Sequence, residues 1–129
     1  MSYLLDTSAF LWFVTGDRKL STLARRVLEE SSDDFYLSLA SIWELAIKSN
    51  LGRGLELPRP FVEFVDIELQ AERIQILNIE LSHLKQVADL PYHHRDPFDR
   101  LLIAQSQVEN IPVLTSDVAF DSYEIQRLW

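Results

Sequence analysis

Residues 3–13 read YLLDTSAFLWF: three apolar residues, an aspartate backed by two hydroxyl residues, then apolar side chains at Ala9, Phe10, Trp12 and Phe13. The first part has the composition of a short buried strand and the second has helical spacing. Asp6, at the junction, is a side chain suited to helix N-capping. A strand that runs straight into a helix opens a βα unit. Such units repeated along a chain build a parallel sheet covered by helices on both faces.

The alternation continues outward from this stretch. A helix over Ser21–Glu30 keeps Leu20, Leu23, Ala24, Val27 and Leu28 on one face, and Phe35–Leu37 is a second strand. A helix over Ala40–Ser49 turns Ile42, Trp43, Ala46 and Ile47 inward. The stretch NLGRGLELPRP, residues 50–60, holds two of the three glycines and two of the five prolines and reads as a surface loop. Pro60 opens a helix whose apolar set is Phe61, Phe64, Val65 and Leu69. Ile74–Ile79 is a strand, Leu81–Leu90 a helix and Leu90–Asp96 a loop. Asp96-Pro97 then gives the strongest helix start in the chain, an acceptor at N-cap and proline at N1 ahead of Phe98, Leu101, Leu102, Ile103 and Ala104. Ile111–Thr115 is a strand, Val118–Tyr123 a short turn or helix, and Ile125–Leu128 a final edge strand. The expected architecture is α/β: a three-layer α/β/α sandwich on a central parallel sheet of about five strands, forming a single domain over residues 1–129.

At 129 residues the chain has the size of one domain, and 47% apolar residues with 11% aromatics suffice to fill its core. Without cysteine there is no disulfide, thiol nucleophile or thiolate metal site, so any metal is held by oxygen or histidine. Asp6 interrupts the first apolar run and no basic residue precedes it, which supports neither a signal peptide nor a membrane span. The expectation is a soluble cytoplasmic protein. A net charge of −8 argues against a broad basic nucleic-acid surface. It does not exclude a nucleic-acid substrate, provided that metal ions and a few local cations offset the field.

Four acids fall just past the predicted strand ends or near helix starts: Asp6 in YLLDTS, Glu44 in SIWELAIK, Asp99 in DPFDRLL and Asp117 in VLTSD. In open α/β sheets that is the side on which ligands bind. Each acid also has an ordinary local role. Asp6 caps a helix, Glu44 completes an S-x-x-E capping box with Ser41 and an i,i+4 pair with Lys48, Asp99 is N3 of the helix capped by Asp96, and Asp117 forms a turn. Those roles do not require the four to meet, whereas carboxylates that do meet repel one another and call for a divalent counter-ion. Two Mg²⁺ ions about 4 Å apart, bridged by carboxylates, activate a water and stabilise the leaving oxygen of a phosphodiester.

Around this set, Ser8 is a capping hydroxyl or a hydrogen-bond partner of the site. Arg100, Arg95, Lys48 and Arg53 are candidate phosphate contacts, Arg100 first among them. His93 and His94 read as exposed loop histidines that the chemistry does not need. Trp12, Trp43, Phe10 and Phe98 have core-like spacing, which favours packing over base stacking, and Trp129 is expected against the last helix or a partner.

Four longer stretches, LLDTSAFLW (4–12), SLASIWELAIKSNLGRGLEL (38–57), HRDPFDRLLIAQS (94–106) and VLTSDVAFDSYEIQRLW (113–129), resemble those of PIN-domain ribonucleases, specifically VapC-type toxins of toxin–antitoxin pairs. The resemblance implies a Mg²⁺- or Mn²⁺-dependent endoribonuclease whose metals are held by Asp6, Glu44, Asp99 and Asp117, with Asp121 as a substitute for the fourth acid. It further implies an RNA substrate, a cognate antitoxin whose arginine-bearing tail fills the acidic pocket, and a homodimer that sets two sites along one groove. Two rival readings stand beside it. One is a catalytically weak PIN-like module that binds a basic partner through the same pocket. The other is an aspartate-nucleophile phosphatase of the haloacid-dehalogenase kind, which needs a second acid two residues after Asp6, where this chain has Ser8.

Overall fold

The computed structural model describes residues 1–52 and 55–129. Arg53 and Gly54, and with them the phosphate contact expected of Arg53, lie outside the described residues. In chain order the elements are β1 (Ser2–Leu5), α1 (Thr7–Thr15), α2 (Thr22–Glu30), β2 (Asp34–Ser38), α3 (Leu39–Leu51), α4 (Phe61–Ala71) and β3 (Ile74–Leu77). There follow α5 (Leu81–Asp89), α6 (Pro97–Glu109), β4 (Val113–Leu114), a short 3-10 helix (Val118–Ser122) and β5 (Arg127–Leu128). The sheet order is β3-β2-β1-β4-β5 and every pairing is parallel, as the α/β/α expectation requires.

Successive side chains on a strand face opposite ways. Leu5 accordingly packs with Phe10, Leu37, Leu45, Phe64 and Leu114, while its neighbour Leu4 packs with Leu102, Ile103, Val113 and Phe120. Both faces of β1 are therefore buried, which is why it reads as an unbroken apolar run. From β1 the chain steps outward through β2 and β3, then returns to lay β4 and β5 on the other side. The gap between the carboxyl ends of β1 and β4 is thus the topological switch point, where open α/β sheets bind ligands. Gly16 ends α1 in the left-handed conformation (φ 69°), and Asn110 ends α6 the same way (φ 54°).

Two expectations change in α3. The Ser38 hydroxyl at the end of β2 accepts the Ala40 N–H (3.1 Å) and starts the helix at Leu39. Ser41 is then inside the helix and fully buried, so its capping box with Glu44 does not form. The fully buried stripe is Ala40, Ser41 and Leu45, and Ile42 packs half-buried against the core as expected, whereas Trp43 and Ile47 are exposed (60% and 38%). Apolar residues surround this helix, and periodicity alone does not choose between faces. Phe10 is in the core and Trp12 packs against it as expected, but Trp43 stands edge-on to Phe98 at the surface (5.1 Å), and Trp129 meets Trp12 of α1 (5.9 Å).

Candidate functional site

Asp6 follows β1 directly and sits at the switch point. Its Oδ1 accepts the Ala9 N–H (2.7 Å) and caps α1, while its Oδ2 accepts the Thr115 hydroxyl (2.6 Å) from the end of β4. Thr115 also accepts the Asp117 N–H (3.0 Å), and Asp117 caps the 3-10 helix by accepting the Ala119 N–H on Oδ1 (2.9 Å). From α3, Glu44 accepts the Thr7 hydroxyl on Oε1 (2.6 Å) and pairs through Oε2 with Lys48 (3.2 Å). Asp99 occupies the first turn of α6, whose N-cap Asp96 accepts the N–H groups of Phe98 (2.9 Å) and Asp99 (3.4 Å). Capping and convergence are therefore not alternatives here. A carboxylate has two oxygens, and the helix starts that Asp6 and Asp117 cap hold one oxygen of each in place.

The acids sense one another electrostatically. Burial pushes the Asp6 carboxyl up to about 6 against the opposing hydrogen bonds from Thr115 and Ala9, and Asp117 and Glu44 add repulsion. Burial likewise pushes Asp99 up to about 7; Asp96 raises it further, His94 pulls it back, and Glu44 and Asp6 add to the rise. Repulsion that links Asp6 to Glu44, Asp99 and Asp117 places all four predicted acids in one field. Asp121 stands apart from it. Its carboxylate is held by Arg127 through two hydrogen bonds (2.9 and 3.1 Å), which keep it below the usual carboxyl range.

His94 is not the exposed loop residue its position in the sequence suggested. Its side chain is 18% exposed, and its Nε2 lies 2.9 Å from Asp99 Oδ2 and 3.6 Å from Asp117 Oδ2. One ligand atom each from His94, Asp99 and Asp117 all fall within 4.8 Å of one another. The loop is positioned from a distance: the Tyr123 hydroxyl oxygen accepts the N–H groups of His93 (3.0 Å) and His94 (2.9 Å). Arg100 serves the same loop. Its guanidinium donates to the carbonyls of Pro91 (3.0 Å) and Val87 (3.3 Å) and to the Tyr123 hydroxyl (3.3 Å), so it is spent on the protein rather than turned to a phosphate. Ser8 is half-buried in the first turn of α1, where Asp6 and not Ser8 is the cap.

A groove of about 590 Å³ opens beside the cluster, lined by Glu44, Lys48, His94, Arg95 and Phe98 among others. A larger cavity, about 730 Å³, lies at the amino ends of the strands around Met1, Asn110, Pro112 and Gln126. Its only lining acid is Glu124, so the chemistry points to the smaller groove. There the donor set fits a divalent cation. It offers carboxylate oxygens that repel without one, and a buried Nε2 on His94 that has no hydrogen-bond partner despite its closeness to Asp99.

No curated protein sequence matches the chain. Among solved structures, VapBC2 from Rickettsia felis bound to a DNA fragment from their promoter superposes with a TM-score of 0.76 at 16% identity, covering 99% of this chain and 98% of that one. VapBC-1 from nontypeable Haemophilus influenzae gives 0.68 at 20% identity, with 99% and 97% coverage. A toxin-antitoxin complex from Klebsiella pneumoniae gives 0.68 at 15% identity, with 98% and 96% coverage. At such identities the likeness speaks for the fold. Membership rests on the family model for the PIN domain, which matches residues 3–125: the chain belongs to the PIN domain family.

Proposed function

We propose that the protein is a divalent-metal-dependent endoribonuclease and the toxin of a toxin–antitoxin pair, with Asp6, Glu44, Asp99 and Asp117 as its metal-holding acids. What supports this is the mutual repulsion among those acids around Asp6 and Asp99 in a PIN domain, with Asp99 and Asp117 close to His94 and with Glu44 lining a groove that also presents Lys48 and Arg95. When bound, Mg²⁺ or Mn²⁺ supplies an activated water and stabilises the charge of the leaving oxygen. The side chains do the rest. Thr115 fixes the rotamer of Asp6 and Thr7 that of Glu44, so two ligands from different elements are oriented before an ion arrives. Lys48 and Arg95 orient the phosphate backbone, which confines cationic contacts to the groove of an otherwise acidic protein.

A single domain over residues 1–129 is supported by the one sheet that carries both packed faces. A cognate antitoxin is supported by the similar structures, which include VapBC and toxin-antitoxin complexes. No helix among the described residues is long and apolar enough to cross a membrane, in keeping with a cytoplasmic site of action. The test is expression in a bacterial host: the wild type should arrest growth with loss of intact RNA, and Asp99→Asn should relieve the arrest at equal protein level. Unimpaired growth with soluble wild-type protein present counts against the toxin reading.

A further inference from the structure

We propose that His94 is a nitrogen ligand of the metal centre, joining Asp99 and Asp117 in holding one ion and biasing the site towards Mn²⁺ over Mg²⁺. The inference rests on the proposed metal-dependent reading of this site and adds a donor that the four acids do not supply.

Three observations carry it. First, spacing: adjacent donors of an octahedral ion with bonds of about 2.1 Å stand about 3 Å apart, and His94 Nε2 is 2.9 Å from Asp99 Oδ2 and 3.6 Å from Asp117 Oδ2. Second, direction: the 2.9 Å separation from Asp99 suits a hydrogen bond, yet the buried Nε2 makes none. Donors that share an ion aim at a common point between them rather than at one another. Third, fixation: the two amide contacts from His93 and His94 to the Tyr123 hydroxyl, with Arg100 tied to the same hydroxyl, to the loop carbonyl of Pro91 and to the α5 carbonyl of Val87, hold the imidazole beside the acids. Phe120 adds an edge-on contact with the ring (6.3 Å). The other ring nitrogen, Nδ1, lies 3.4 Å from the Asp96 N–H, the long limit of a hydrogen bond. Ligation through Nε2 uses the tautomer protonated at Nδ1 and gives up only this weak contact.

The consequence is selectivity. Carboxylates and water suit Mg²⁺ and Mn²⁺ alike, whereas imidazole suits transition ions and adds little for Mg²⁺. The experiment uses the full chain, stripped of metal and titrated with Mn²⁺ or Mg²⁺ alone, followed by calorimetry and by spin-echo electron paramagnetic resonance of bound Mn²⁺. Wild type should show nitrogen modulation of the Mn²⁺ signal, as should His93→Gln, which changes an exposed neighbour outside the cluster. His94→Ala and the bulkier His94→Gln should lose the modulation and weaken Mn²⁺ binding by about tenfold or more, with a smaller effect on Mg²⁺. Mn²⁺ bound without nitrogen modulation in wild type overturns this inference and leaves the nuclease reading standing. Unchanged or tighter Mn²⁺ binding in both variants overturns it too, making His94 an occupant that the ion displaces. Absence of any ion binding in wild type removes the metal-dependent reading itself.

Discussion

Asp99 is placed where two demands oppose each other. In the first turn of α6 its negative charge favours the positive end of the helix dipole. Burial and the surrounding acids penalise the same charge and push its carboxyl up to about 7. Asparagine keeps the shape and removes the charge, so Asp99→Asn should raise the melting temperature of the metal-free protein at pH 7.5 by about 3–6 °C. A fall instead would mean that the dipole outweighs the repulsion. The pH dependence has a defined sign. Asp6 and Asp99 titrate near 6 and 7 in the folded state and near 4 when unfolded, so the folded protein binds more protons between those values. Their contribution to stability is thus full below about pH 4 and lost as pH rises through the folded values. Melting of the chelated protein from pH 4.5 to 8 should show stability declining and then levelling off above about 7.5, and saturating Mn²⁺ should flatten the decline. A curve that climbs through that window contradicts the shifts. Asp6 and Asp99 were legible because the one follows a strand and the other opens a helix, slots that local pattern reveals. His94 was not, because Tyr123, 29 residues on, sets its backbone and no local feature of HHRDPF reports that contact.

At the scale of elements, α3 shows what pattern leaves undecided. Leu39, Ile42, Trp43, Leu45, Ala46, Ile47 and Leu51 encircle the helix, so a 3.6-residue period fits more than one inward stripe. Its packing partners choose Ala40, Ser41 and Leu45, which leaves Trp43 outside beside Phe98, a residue that lines the groove. Trp43→Ala should therefore change stability by no more than about 0.5 kcal/mol. If the exposed ring stacks on a base, the same change should weaken single-stranded RNA binding about fivefold or more. A stability loss of core size, about 3 kcal/mol, would restore the packing role expected from spacing. By contrast the start of α6 was legible to the residue, because Asp96-Pro97 marks it chemically. Strands β4 and β5 proved shorter than the expected Ile111–Thr115 and Ile125–Leu128, since they pair with each other over only two residues.

For the whole molecule, the alternation of strands with helices made the parallel sheet legible, whereas connection rules allow more than one strand order, and the order β3-β2-β1-β4-β5 with its switch point at β1 and β4 comes from the structure. The homodimer that the resemblance to VapC-type toxins implies predicts twice the monomer mass by size exclusion with light scattering; a stable monomer across micromolar concentrations contradicts it. The central claim is that acids gathered at the switch point cleave RNA with the help of a divalent ion. The most direct measurement is cleavage of a single-stranded RNA by purified protein, stripped of metal and then resupplied with Mg²⁺ or Mn²⁺. The account predicts no cleavage in chelator, cleavage on adding either ion, and none in Asp6→Asn or Asp99→Asn with unchanged circular dichroism. Cleavage that persists in chelator, or in both variants, contradicts it.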